Sequence, residues 1–430
     1  MIRQYSWGTL PAEEILARTK TGTDVSREVA SIIANVRKGG DEVLREYEQR
    51  FDGVMLSGFE VTEGEKERAL AQTDPDYLAV LKEAAANIRA FHEKQVRQGF
   101  LMTKENGVML GQRILPLASA GVYVPGGKAA YPSTVLMDVI PAVIAGVSEI
   151  VMVTPPGKNG FVDPVILAAA HIAGVHRVFK CGGAQAIAAL AYGTETIPRV
   201  DKIVGPGNIY VAEAKRQVFG QTGIDMIAGP SEVLIIGDKS ADAHFVAADM
   251  LAQAEHDTDA CAIFVTTHKP HVKAVAEELE RILKTLPRES VARASIEENG
   301  KIILVKDLQE ALSVANRIAP EHLELMVEKP FDLLPFVTHA GSVFLGAYDP
   351  EPMGDYFAGV NHTLPTSGTA RFYSPLSVDD FVKKMQYSYY TKEALAEEYE
   401  KVALFAEREG LQAHAYAVRA RFEREEGSNA

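Results

Sequence analysis

Short runs of β-branched and apolar residues alternate with alanine-rich stretches through the middle of this chain, and that alternation restricts the fold more than any other feature. GVYVP gives way to VLMDVIPAVIAGV, EIVMVTP to PVILAAAHIAG, RVFKCGG to AQAIAALAYG, and KIVGPG to NIYVAEAKRQVFG. After Gly229-Pro230 the rhythm starts again: EVLIIGD, AHFVAADMLAQAEH, ACAIFVTT, HVKAVAEELERILKTL, KIILV, LQEALSVANRI, LELMV and SVFLG. The apolar runs are too continuous for one-sided strands, and the stretches between them have helical length. Strands that alternate with helices in this way imply parallel sheets covered on both faces. The expected fold class is therefore α/β, with two doubly wound, incomplete Rossmann-like domains. A chain of 430 residues is long enough to need more than one core.

The flanks have a different character. Residues 10–100 read as mostly helical, with Leu78 onward repeating apolar residues three and four apart. The end of the chain, from Ser377 through LSVDDFVKKM to ARFERE, reads as a helical tail. The expected division is 1–120, a helical N-terminal region packing with the second α/β unit; 121–230, the first α/β domain; 231–376, the second; and 377–430, the tail.

Composition excludes several classes of function. The formal net charge of −14 repels nucleic acid phosphates and anionic lipid. No apolar run approaches the roughly 18 residues of a membrane span. The opening MIRQYSWGTLPAEEIL lacks the basic-then-apolar order of a signal peptide. Two cysteines, Cys181 and Cys261, make no disulfide framework, which suits a reducing cytoplasm.

Ligands of open α/β sheets bind at strand ends, and glycine-rich turns stand there: Pro125-Gly126-Gly127, Gly182-Gly183 and Gly205-Pro206-Gly207-Asn208. None belongs to a GxGxxG fingerprint, so as motifs they are equally ordinary turns. Four other places hold chemistry-bearing side chains. Gln253 and His256 are three apart at the end of a helical stretch, on one face, where they can serve a metal or simply line a solvated surface. Glu321-His322 are adjacent titratable groups where a strand begins, suited to acid–base work but also to a plain loop. Asp355 and His362 fall in a proline-, glycine- and aromatic-rich segment, 347–374, which reads as a site-forming loop. Glu409 and His414 flank Gly410, which suggests a helix break near the end of the tail.

Several stretches, taken in order, carry a resemblance: GVYVPGG, STVLM, GGAQAIAALAYGT, VDKIVGPGNIYVAEAK, AGPSEVLII, QAEHD, APEHLEL, GDYFAGVNHTLPT and ARFYSPLSVDDF. Together they resemble the histidinol dehydrogenase family along almost the entire chain. The resemblance implies oxidation of L-histidinol to L-histidine with two hydride transfers to two NAD. It implies one zinc per subunit on Gln253, His256, Asp355 and His414, an oxygen and nitrogen donor set of catalytic type. It further implies a substrate site of Ser231, Gln253, His256, His322, Asp355, His362, Glu409 and His414, with Tyr123, Gln185 and Asn208 at NAD. In the roles so implied, His322 takes the alcohol proton and Glu321 activates water. The family also implies a homodimer whose tails reach the neighbouring site. Three rivals stand beside this reading. The same machinery could act on another polar alcohol, such as a sulfonated diol. Cys181 could carry a thiohemiacetal, although no basic partner adjoins it. The protein could be a zinc-stabilised scaffold, against which the Glu321-His322 pair argues.

Overall fold

The computed structural model describes residues 1–17, 24–126 and 130–423. They fall into two compact units, Met1–Val96 with Leu117–Phe381, and Arg97–Pro116 with Val382–Ala430. The larger unit opens with strand β1 (Arg3–Ser6), one turn α1 (Ala12–Ile15), and helices α2 (Ser26–Phe51), α3 (Glu63–Gln72) and α4 (Pro75–His92). Strands β2 (Phe100–Thr103) and β3 (Met109–Pro116) come next and belong to the smaller unit.

A first parallel sheet follows, made of β4 (Ser119–Tyr123), β5 (Glu149–Thr154), β6 (Arg177–Lys180), β7 (Lys202–Val204) and β8 (Gly223–Ile224). Its connections are α5 (Pro132–Ala145), α6 (Pro164–Ala173), α7 (Gly183–Tyr192) and α8 (Ile209–Val218). The second sheet holds β9 (Glu232–Gly237), β10 (Cys261–Thr266), β11 (Lys301–Leu304), β12 (His322–Met326) and β13 (Ser342–Leu345). Helices α9 (Ala243–Ala254), α10 (Lys269–Leu283), α11 (Glu289–Glu298), α12 (Leu308–Ile318), α13 (Pro330–Leu333) and α14 (Glu351–Tyr356) accompany it.

The two sheets share one topology. The first runs β6-β5-β4-β7-β8 and the second β11-β10-β9-β12-β13, with β1 added beside β11. Counted from its own first strand, each is the 3-2-1-4-5 order of a doubly wound half. All these pairings are parallel. Because side chains alternate along a strand, each sheet feeds two cores. Val151 and Val153 enter one cluster, Ile150 and Met152 the other. In the second sheet Val233 and Ile235 part from Leu234 and Ile236 in the same way.

The structure corrects the expected setting of the N-terminal helices. They cover the first sheet, not the second: Val29, Ile32, Val36 and Leu44 of α2 pack with Phe179 and Ile187, while Leu81 and Ile88 of α4 join Val135 and Ile140 of α5. β1 joins the second sheet as an added parallel strand, and Ile15 of α1 enters one of its cores. The tail also differs from its expected helix. Residues 382–389 form β14 (Val382–Tyr389), antiparallel to β3, which pairs with β2 on its other side. The sequence VKKMQYSY carries period-two polarity and two tyrosines, and β3 supplies the ladder that overrides its helical reading. Beyond it α15 (Lys392–Arg408) and α16 (Gln412–Arg419) are helical as expected, separated at Gly410 with φ of 80°. Gly127 and the GSNA terminus lie outside the described residues. No helix among the described residues is long and apolar enough to cross a membrane.

Candidate functional site

Two groups of chemistry-bearing residues assemble in the larger unit, one at each sheet. On the first sheet they stand at the carboxyl ends of the strands. Tyr123 closes β4, Gln185 lies in the first turn of α7 after β6, and Asn208 caps α8 after β7. The backbone N–H of Gly183 donates to the Tyr123 hydroxyl at 3.2 Å. Gln185 Nε2 donates to Glu48 Oε1 at 3.1 Å, in a place where both residues are fully enclosed. The Asn208 side chain accepts from the N–H groups of Tyr210 and Val211, leaving Asn208 itself exposed. Between Tyr123 and Asn208 the chain must pass close to itself. Gly205 has φ of 114°, and a Cβ there would come within 2.2 Å of the Tyr123 carbonyl oxygen, so only glycine fits. This crevice is the topological switch point between β4 and β7, where doubly wound sheets bind nucleotides.

The second group gathers at the opposite ends of its strands. Ser231 precedes β9, His322 begins β12, and His256 sits between α9 and β10. Ala319, in the left-handed region at φ 54°, turns the chain from α12 into Pro320-Glu321-His322. His322 is nearly enclosed, and its Nδ1 lies 3.0 Å from the Glu232 carbonyl oxygen. A carbonyl only accepts, so Nδ1 carries the proton and Nε2 keeps its lone pair. That Nε2 makes no hydrogen bond and faces Asp355 Oδ1 at 3.8 Å and Glu351 Oε1 at 4.0 Å. Burial holds the imidazole below its ordinary pKa; the Asp355 charge opposes this, and His256 and His362 add to it. His322 is thus a neutral ring with one open basic nitrogen.

Neighbouring residues follow from the same local logic. Glu321, a residue earlier, accepts the Glu232 N–H through Oε2 at 2.9 Å. Gln253, in the last turn of α9, donates from Nε2 to His256 Nδ1 at 3.2 Å, and its buried Oε1 has no hydrogen-bond partner. Asp355 lies on the short helix α14, and its carbonyl oxygen accepts from His362 Nδ1 at 3.2 Å. His362 therefore also presents an Nε2 lone pair, and burial lowers its pKa as well. Gln253, His256, His322, Asp355 and His362 are brought into one neighbourhood. Glu409 and His414 belong to the smaller unit, at the C-terminal end of α15 and on α16, and are exposed.

Three carboxyl groups here escaped sequence reasoning. Glu324 shares the β12 face of His322, two residues on, and its Oε1 accepts the Glu351 N–H at 2.9 Å. Asp249 stands one turn before Gln253 on α9; burial pushes it up to about 6 and Glu324 well above the ordinary range. Burial, then the Asp355 charge, likewise raises Glu351. Strand alternation from His322 and helical spacing from Gln253 were the signals that could have found the first two.

The residues fit a divalent cation. Among the described residues, His322, Glu351 and Asp355 offer ligand atoms all within 4.8 Å of one another. Gln253 Oε1 and both Glu351 oxygens are buried without hydrogen-bond partners, an arrangement that is costly unless something positive completes it. Crowded carboxyl groups held in their protonated range ask for the same charge. Nitrogen and oxygen donors without thiolate suit a zinc that keeps positions open to substrate.

The histidinol dehydrogenase family model matches residues 16–422. Histidinol dehydrogenase of Bacillus cereus is 56% identical over 402 residues, covering 94% of each chain. That of Listeria monocytogenes is 53% identical over 407 residues, 95% of each chain. A crystal structure of histidinol dehydrogenase from Elizabethkingia anophelis superposes with a TM-score of 0.94 at 36% identity, covering 99% of each chain. On these matches the chain belongs to the histidinol dehydrogenase family.

Proposed function

We propose that this protein oxidises L-histidinol to L-histidine in two hydride transfers to two NAD, as a step of histidine biosynthesis in the cytoplasm. The observation that carries the reading is the open, unprotonated Nε2 of His322, faced by Asp355 and flanked by Glu321. Gln253, His256, Asp355 and His414 are the residues that would hold zinc. Bound zinc supplies an electrophilic template that orients the imidazole, amino and hydroxyl groups of the substrate. Tyr123, Gln185 and Asn208 serve NAD as co-substrate, at the switch point of the first sheet. Ser231, His362 and Glu409 complete the histidinol site. In this reading the protein is a homodimer, and Glu409 and His414 act at the partner's site.

The chain's own groups then account for the proton movements. His322 Nε2 takes the alcohol proton as hydride leaves carbon for the first NAD, which yields the aldehyde. Glu321 takes a proton from water as the water adds to the aldehyde carbon, while His322 returns its proton from Nε2 to the aldehyde oxygen, which gives the hydrate and restores the neutral ring. His322 then takes a hydroxyl proton of the hydrate as the second hydride leaves, and the carboxylic acid forms. Holding His322 neutral by burial keeps it able to accept a proton near neutral pH.

The test is NADH formed per L-histidinol consumed by zinc-loaded protein. Two per substrate is the expected result. One would remove the hydration step from Glu321, and none would direct the same machinery to another alcohol.

A further inference from the structure

The segment that carries His362 has no regular structure, yet it is tied down on both sides of that residue. Asn87 Nδ2, on α4, donates to the Phe357 carbonyl at 2.9 Å. Asn361 Nδ2 donates to the Met137 carbonyl at 2.7 Å, and Asn361 Oδ1 accepts the Thr363 N–H at 2.8 Å. The Thr363 hydroxyl donates to Asp138 Oδ1 at 2.6 Å. Asn361, Thr363 and Asp138 are all buried, whereas His362 between them turns to the Asp355 carbonyl. Met137 and Asp138 sit on α5, which packs on the first sheet. The second Asp138 oxygen, buried and without a hydrogen-bond partner, lies toward Gly205, whose Cβ would stand 3.2 Å from it. One buried carboxyl thus touches the strap behind His362 and the turn that ends at Asn208.

We propose that Thr363 and Asp138 form a latch that positions His362 for the alcohol substrate by fixing its strap to α5 of the nucleotide-binding sheet. The inference rests on the reading of His362 as a substrate-binding residue. Its physical basis is the difference between a segment held at a single backbone position and one held by side chains on either side. With Asn361 and Thr363 both anchored, the intervening backbone cannot rotate, and the His362 ring stays aligned with Asp355. Without the Thr363 bond the ring must be ordered at the moment substrate arrives, and affinity falls by that ordering cost. Burial, with the Asp225 charge nearby, pushes Asp138 up to about 8, so the latch works with a mostly neutral carboxyl. An asparagine at 138 preserves that acceptor.

The experiment uses the full-length, zinc-loaded enzyme and compares Thr363→Val, Thr363→Ala, Thr363→Ser, Asp138→Asn and His362→Ala. Thr363→Val and Thr363→Ala should raise KM for L-histidinol about 5- to 20-fold, the loss of roughly one hydrogen bond to a group held in place. KM for NAD should change less than about twofold in both, and Thr363→Ser and Asp138→Asn should stay near the parent enzyme. A purely structural contact would lower the melting temperature and leave the two KM values in proportion. Unchanged KM for L-histidinol in both Thr363 truncations, beside a raised KM in His362→Ala, overturns the latch alone. Equal loss in Thr363→Ser overturns it too. A silent His362→Ala removes the substrate role of His362, and the latch falls with it.

Discussion

His322 Nδ1 lies 3.0 Å from the main-chain oxygen of Glu232, on the neighbouring central strand of the second sheet. That contact decides which ring nitrogen can do chemistry. It fixes the proton on Nδ1 and sends the lone pair on Nε2 toward Asp355 and Glu351. The Glu232 N–H meanwhile holds Glu321 through Oε2. One backbone position therefore orients both members of the adjacent Glu-His pair.

His322→Asn should lower kcat by roughly 10²- to 10⁴-fold, the usual contribution of a positioned base. Asparagine can still donate to the Glu232 carbonyl, so the strand should keep its structure. The check is steady-state turnover beside zinc content per subunit. A variant with full zinc and more than about a tenth of parental kcat would remove His322 from the base role.

Cys181 and Cys261 should be dispensable for turnover. Both are buried. Burial pushes the Cys181 thiol well up, so no thiolate forms near neutral pH. Replacing both by alanine should leave kcat within about twofold, with a stability loss of about 1–3 kcal/mol from the small cavities. A collapse of aldehyde oxidation with alcohol oxidation intact would instead restore a covalent thiohemiacetal.

The α/β class and both sheets were legible because parallel strands buried on two faces leave unbroken apolar runs such as EIVMVT and EVLIIG. The destination of α2 and α4 was not legible, since an amphipathic stripe shows that a helix packs and not which sheet receives it. Strand β14 was hidden because VKKM satisfies helical and extended patterns alike until β3 pairs with it. At the site, His322, Gln253 and His256 stood out by neighbours in sequence. Glu351, Glu324 and Glu48 did not, because their significance comes from partners 27 to 137 residues away. Ser231 and His322 also lie at the amino ends of their strands, opposite to the usual rule for open sheets.

Glu48 should make the protein less stable as pH rises. It is fully enclosed on α2 against Gln185, and burial pushes its pKa up to about 8 from an ordinary 4.5. A raised folded pKa means that the folded state binds the proton more tightly than the unfolded state. Its stabilisation is complete below about 4.5 and is lost as pH climbs through about 8. Glu48→Gln keeps an acceptor for Gln185 and removes the titration. The fall in melting temperature between pH 5 and pH 8 should shrink by a few degrees in this variant, since about 1 kcal/mol moves Tm by roughly 2–4 °C in larger domains. Asp138 and Asp249, also pushed up by burial, keep the remainder of the slope. Identical slopes in parent and variant would show that Glu48 is not held neutral.

Zinc loss should abolish turnover and also relieve nothing in the protein's favour. Without a cation, Gln253 Oε1 and the Glu351 carboxyl remain buried and unpaired. Stripping by a chelator should therefore lower the melting temperature as well as kcat, and added zinc should restore both. Gln253→Ala and His256→Ala should each bind zinc at least about 10-fold more weakly, read by competition against a coloured chelator. Ligand loss and base loss separate in this measurement, because His322→Asn should retain its metal. A stripped protein with normal turnover, confirmed metal-free by elemental analysis, would leave the orphaned polar atoms without their explanation and the oxidation without its template.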